Sequence, residues 1–191
     1  MGTGSSAGGT LDNTLKAARF AAAINATPPE ISDASLTEDA DLRSLVAQWE
    51  KQRAARPDND MPLRAVASAE IGRLLKYCHL CDVIDGGRDF RFKIVGIDAF
   101  PRIECQTGKL VSEHPDAGSR LRLPIQMRAA IQARKPVRGT ALRETDAGNF
   151  YIEAVWLPYG DSDVRQVLGM VAFRCKVDGT WLAARPKGIL A

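Results

Sequence analysis

From position 37 to 56 the apolar residues recur at helical spacing. Leu42, Leu45, Val46 and Trp49 stand at i, i+3, i+4 and i+7 and would form one stripe along a helix. Ser35 and Glu38 have the separation of a capping box, and Glu38, Asp39 and Asp41 put negative charge at the positive end of the dipole. Lys51, Arg53 and Arg56 suit the other end, and Pro57 closes the segment. Such a helix needs a surface to lie on. A shorter one is predicted beyond the breaker-rich stretch 57–64, with Ser68 as its cap and Ile71, Leu74 and Leu75 buried.

The period then changes from helical to alternating. Tyr77 to Ile84 and Phe90 to Gly96 read as strands joined by Asp85-Gly86-Gly87-Arg88, a tight hairpin connection. In the second strand Phe92 and Ile94 alternate with Arg91 and Lys93, which predicts one buried face and one wet face. Residues 98–113 read as turns and loops. A helix is expected from about Leu123, with Pro124 in its first turn, Met127, Ala130 and Ile131 inward, and an end before Pro136. Val137–Glu144, Asn149–Leu157 and Val164–Cys175 follow as three strands with polar, glycine-containing joints.

Two strands, a helical crossing and three more strands predict an α+β fold. Its centre is a five-stranded antiparallel sheet with helices on one face, preceded by the amphipathic helix. Residues 1–36 are expected to be a flexible tail and linker, with a short alanine-rich helix over Leu11–Ala26. Residues 37–175 form the domain. Residues 176–191 are a C-terminal tail that touches the body through Trp181.

Composition narrows the picture. Of 191 residues, 45% are hydrophobic and 26% charged, enough for a packed core and against disorder. A net charge of +3 is mild for a protein that lives on nucleic-acid phosphates. No run nears the roughly 20 apolar residues of a membrane span. Phe20 to Ile24 is too short for the apolar region of a signal peptide. Met1-Gly2 with Ser6 fits a myristoylation pattern that many Gly/Ser-rich leaders share. A cytoplasmic protein with reduced thiols at Cys78, Cys81, Cys105 and Cys175 is the expectation.

Candidate chemistry is sparse. Cys78-His79-Leu80-Cys81 supplies half a zinc site, but no second pair stands at motif spacing, and on a strand positions 78 and 81 point to opposite faces. No metal site is assigned. His79 is expected to be packed and hydrogen-bonded. Gly-x-Ser-x-Gly, His-Glu-x-x-His and phosphate-binding glycine loops are missing, so no catalytic residues are assigned and a non-enzymatic role is expected. Arg120, Arg122, Arg128, Arg134, Arg138 and Arg143 would form either a solvated face or a basic one around the long helix.

Several of these features together resemble a family of compact bacterial PAS domains of largely unknown role. They are the Trp49 helix, Pro62-Leu63-Arg64, Asp82-Val83 after Leu74-Leu75, Arg91-Phe92 through Gly96, Thr107-Gly108 and Leu157-Pro158. The similarity spans about Leu42 to Arg174. Ala67-Ser68-Ala69-Glu70 and Ile97 depart from the family's usual residues. The resemblance implies a PAS-like sheet and a sensory or regulatory role. By strand and helix phase, Phe92, Ile94, Met127, Ile131, Ile152 and Trp156 would line an apolar ligand pocket. Leu42, Leu45, Val46 and Trp49 would pack on the sheet or form a partner interface, with a signalling protein or in a homodimer. No cofactor is assigned. Haem, with His114 as axial ligand, and flavin are minor alternatives. A ligand-free interaction module and a nucleic-acid-associated regulator are the other readings.

Overall fold

The computed structural model describes residues 29–56, 61, 69–99, 106–145, 148–177 and 180–184. Among them seven strands appear in chain order: β1 (Glu30–Asp33), β2 (Cys78–Ile84), β3 (Asp89–Val95), β4 (Val137–Thr145), β5 (Gly148–Gly160), β6 (Val164–Val177) and β7 (Thr180–Ala184). They form one antiparallel sheet in the order β1-β4-β5-β6-β2-β3, with β7 paired to β6. The α+β class and the five expected strands are there, but the sheet is larger. β1 lies in the stretch read as linker, pairing with Val137–Thr140 at the β4 edge, and β7 lies in the stretch read as a tail. Both segments are too short for alternation to distinguish them from loop. The expected helix at Leu11–Ala26 falls outside the described residues.

Among the described residues the two long helices are α1 (Ala40–Ala54) and α3 (Ala117–Ala133), with a single-turn α2 (Ala69–Gly72) between them. α1 occupies the expected segment, but its cap is Asp39 rather than Ser35: the Asp39 carboxylate accepts the Asp41 and Leu42 amides at 3.0 and 3.1 Å. α3 starts well before Leu123. Asp116 caps it by accepting the Ser119 amide at 2.6 Å, so Pro124 stands inside the helix, not in its first turn. A good cap outweighed the proline signal.

Helices cover both faces, not one. Alternate residues of β5 and β6 enter two separate cores. Val155, Leu157, Tyr159, Leu168, Met170 and Ala172 face α1 and α2. Ala154, Trp156, Val167, Val171 and Phe173 face α3. The central strands are therefore near-continuous apolar runs, the pattern of a strand buried on both sides.

Candidate functional site

The residues of interest lie between α3 and the sheet. β2 contributes His79 and Cys81, β3 Phe90 and Phe92, β5 Trp156, and α3 contributes Gln126, Met127 and Ala130. Phe92, Met127 and Trp156, expected to line a pocket, do meet in this layer and are fully buried. Ile131 and Ile152 pack at its margin, half-buried. Ile94 does not belong to it. Phe92 pairs with Cys81 but Ile94 pairs with Leu80, so Lys93 is an extra residue, a β-bulge. The bulge reverses the phase and leaves Ile94 on the other side, 54% exposed.

Two glycines let polar side chains into this apolar layer. A Cβ on Gly169 would stand 2.4 Å from His79 Nε2 and 2.6 Å from the Trp156 ring. A Cβ on Gly139 would stand 1.9 Å from Gln126 Oε1. The missing methyl groups are the space that the imidazole and the amide occupy. Gln126 Oε1 accepts the Trp156 indole N–H at 2.6 Å, so those two polar groups are satisfied together.

His79 is not satisfied. Its ring lies 5.1 Å from Trp156, edge-on, and 5.9 Å from Phe92. Neither ring nitrogen has a hydrogen-bond partner among the described residues, nor any surface open to water. It is packed as expected and lacks the expected hydrogen bond. Burial pushes its pKa from 6.5 down to about 3, and the imidazole of His114 pushes the same way. The ring is neutral at physiological pH. His114 is itself buried, and its Nδ1 accepts the Asp116 amide at 3.0 Å, which helps to start α3.

In the opposite layer, the first of the two arrangements expected for the α1 stripe is the one present. Leu42, Leu45, Val46 and Trp49 are buried against the chain's own sheet, so the stripe is not a surface open to a partner. The Trp49 indole N–H donates to Pro158 O at 2.9 Å. At the start of α1 lies a charged cluster absent from the sequence reading. The buried Glu153 carboxylate accepts the Glu38 and Asp39 amides at 2.8 and 3.0 Å, Arg138 Nε at 2.6 Å and an Arg174 N–H at 2.7 Å. Burial pushes the Glu153 pKa up, but Arg138 and the two amides outweigh it and hold the carboxyl below its usual value. Glu38 completes the cluster with Arg138 and Arg174.

Arg138 is thus no part of a basic surface. Other arginines of that set also bond within the fold: Arg120 to the His114 and Pro115 carbonyls, Arg122 to Asp116, Arg128 to Gly87 O, and Arg134 to the Asp161 and Ser162 carbonyls. Cys78 and Cys81 enter opposite cores, as the strand phase requires. Among the described residues no three His, Cys, Asp or Glu side chains are placed to hold a metal, and no helix is long and apolar enough to cross a membrane.

Sequence reasoning overlooked Gln126, Gly139, Gly169 and Glu153. Glycines inside two strands were the available signal, since glycine there marks a close approach. No family model, curated protein or solved structure matches the chain.

Proposed function

We propose that the chain is a PAS-like sensory domain that takes a small ligand into the layer between α3 and the sheet and relays the change by contact with a partner protein. Two strands, a helical crossing and three strands in one antiparallel sheet support the PAS-like reading. The observation that carries the ligand reading is the wholly buried His79 ring, flanked by Phe92 and Trp156 and hydrogen-bonded at neither nitrogen among the described residues. Leaving such a group unpaired costs about 1–3 kcal/mol, and packed proteins seldom keep one without a use for it. A guest that pairs with the ring stabilises the state that holds it, and a population shift follows. β5 and β6 carry both cores, so widening the α3 side reaches the α1 side through alternate residues of the same strands.

The dense packing of Phe92, Met127 and Trp156 favours a second reading, an interaction module with a filled core. Thermal unfolding in the presence of a small-molecule extract of the cells that make the protein separates the two. The sensory reading expects a raised melting temperature from at least one fraction and a bound mass in native mass spectrometry. A melting temperature unmoved by every fraction overturns it in favour of the filled module.

A further inference from the structure

We infer that the ligand is a small, mainly apolar molecule that is uncharged and carries one hydrogen-bonding group, and that His79 is its anchor. The inference rests on the sensory reading and names the chemistry of its ligand. Three features of the layer carry it.

The walls are apolar and aromatic: Phe90, Phe92, Met127, Trp156, Val167 and Val171. Among the described residues the buried charges, Arg138 and Glu153, lie on the other face with α1, where they pair with each other. An ionised guest under α3 would lose its hydration, and the α3 arginines Arg122 and Arg128 are already bonded to Asp116 and Gly87 O, a penalty against carboxylates and ammonium groups alike. His79 offers a neutral imidazole, one N–H donor and one acceptor nitrogen. A hydroxyl can pair with either nitrogen, and a ring N–H can donate to the acceptor nitrogen.

The polar groups around it are already arranged. Gln126 and the Trp156 indole satisfy each other, leaving His79 as the group in this layer with no partner among the described residues. The Tyr159 hydroxyl, in the α1 layer, also has no partner among the described residues, but it shares that layer with the Cys78 thiol, and burial first and that thiol second hold its proton on. Gly169 has no side chain beneath the imidazole, so the ring is held over bare backbone. Because the ring nitrogens have no open surface, a guest reaches them only when α3 moves away from the sheet. The layer is a closed site that a polar guest opens, with the pairing of His79 as the gain that the closed state forgoes.

The test uses the full chain and four probes: phenol and indole, which are uncharged with one donor, toluene, which has the size without the donor, and benzoate, which is charged. Calorimetric affinity is measured for the natural chain and for His79→Phe, and the His79 ring nitrogens are followed by NMR in the natural chain. Phenol or indole binds at least about tenfold more tightly than toluene or benzoate, and His79→Phe removes that advantage. The His79 ring nitrogen shift moves when phenol is added. Benzoate binding as tightly as phenol, or phenol binding that leaves the His79 nitrogens unmoved, overturns the ligand assignment while leaving a ligand-binding domain in place. Should His79→Phe not fold, the nitrogen shifts of the natural chain decide alone. If no probe and no cellular fraction alters the protein, the sensory reading itself fails.

Discussion

A proton on His79 would be a bare charge between Phe92 and Trp156, which is why the folded chain refuses it until about pH 3. The unfolded chain accepts it near the ordinary value of 6.5. The stability that the neutral ring confers is therefore intact above pH 6.5 and is lost progressively as pH falls towards 3. The slope is about 1.4 kcal/mol per pH unit for this one group. Urea unfolding at pH 7, 6 and 5 measures it. The natural chain should weaken across that range and His79→Phe should weaken less, while being at least as stable at pH 7. The glycine beneath the ring makes a second prediction. Gly169→Ala drives a methyl group into His79 and Trp156 and should cost about 1–3 kcal/mol, as overpacking does. Gly72→Ala, with open space around its added carbon, should leave stability unchanged or raise it by up to about 1 kcal/mol. Thermal melts of the pair give the contrast.

Among the elements, α1 is held at two points. Its stripe is buried on the sheet, and its first turn is tied to Glu153. Glu153→Ala takes the buried carboxylate from Arg138, leaving it the exposed Glu38, and should cost about 3–5 kcal/mol. Hydrogen exchange of the Glu38 and Asp39 amides should quicken in that variant more than exchange in α3. Since the folded-state pKa of Glu153 is depressed below 4.5, its contribution is intact above that pH and lost below it, after the loss due to His79 has begun. Trp49→Ala removes a buried ring and its bond to Pro158 and should cost about 3–5 kcal/mol. A variant that kept full stability would return α1 to the role of an open interface. Helical spacing made this element legible: Leu42, Leu45, Val46 and Trp49 are buried as their period requires. The phase of β3 was not legible, because a bulge at Lys93 inserts one residue without any mark in the local pattern, and Ile94 turns outward as a result. The start of α3 was missed because Pro124 is a conspicuous N-terminal signal, whereas Asp116 as a cap is evident only once its carboxylate is seen on the Ser119 amide.

At the scale of the whole molecule, the sheet divides two unlike layers. The α1 layer is mainly aliphatic, with Trp49 and Tyr159 buried among its residues, and is tied down by the ion pairs of Glu153. The α3 layer holds Phe90, Phe92, Trp156 and the His79 imidazole, which has no partner among the described residues, and the proposed function belongs to it. Much of the strand plan could be read from turn chemistry and alternation, but the faces could not. β5 and β6 are apolar on both sides, and a continuous apolar run does not say how many helices cover it. The same ambiguity hid Glu153, whose pairing partners come from β4, β6 and the α1 turn, far apart in the chain. Hydrogen exchange of the α3 amides with and without phenol addresses the division most directly. The account predicts that α3 opens more readily than α1 in the free protein and that phenol slows exchange in α3 and β2, leaving the first turn of α1 as it was. Equal protection of both helices in the free protein, with no slowing in α3 at saturating phenol, would contradict it.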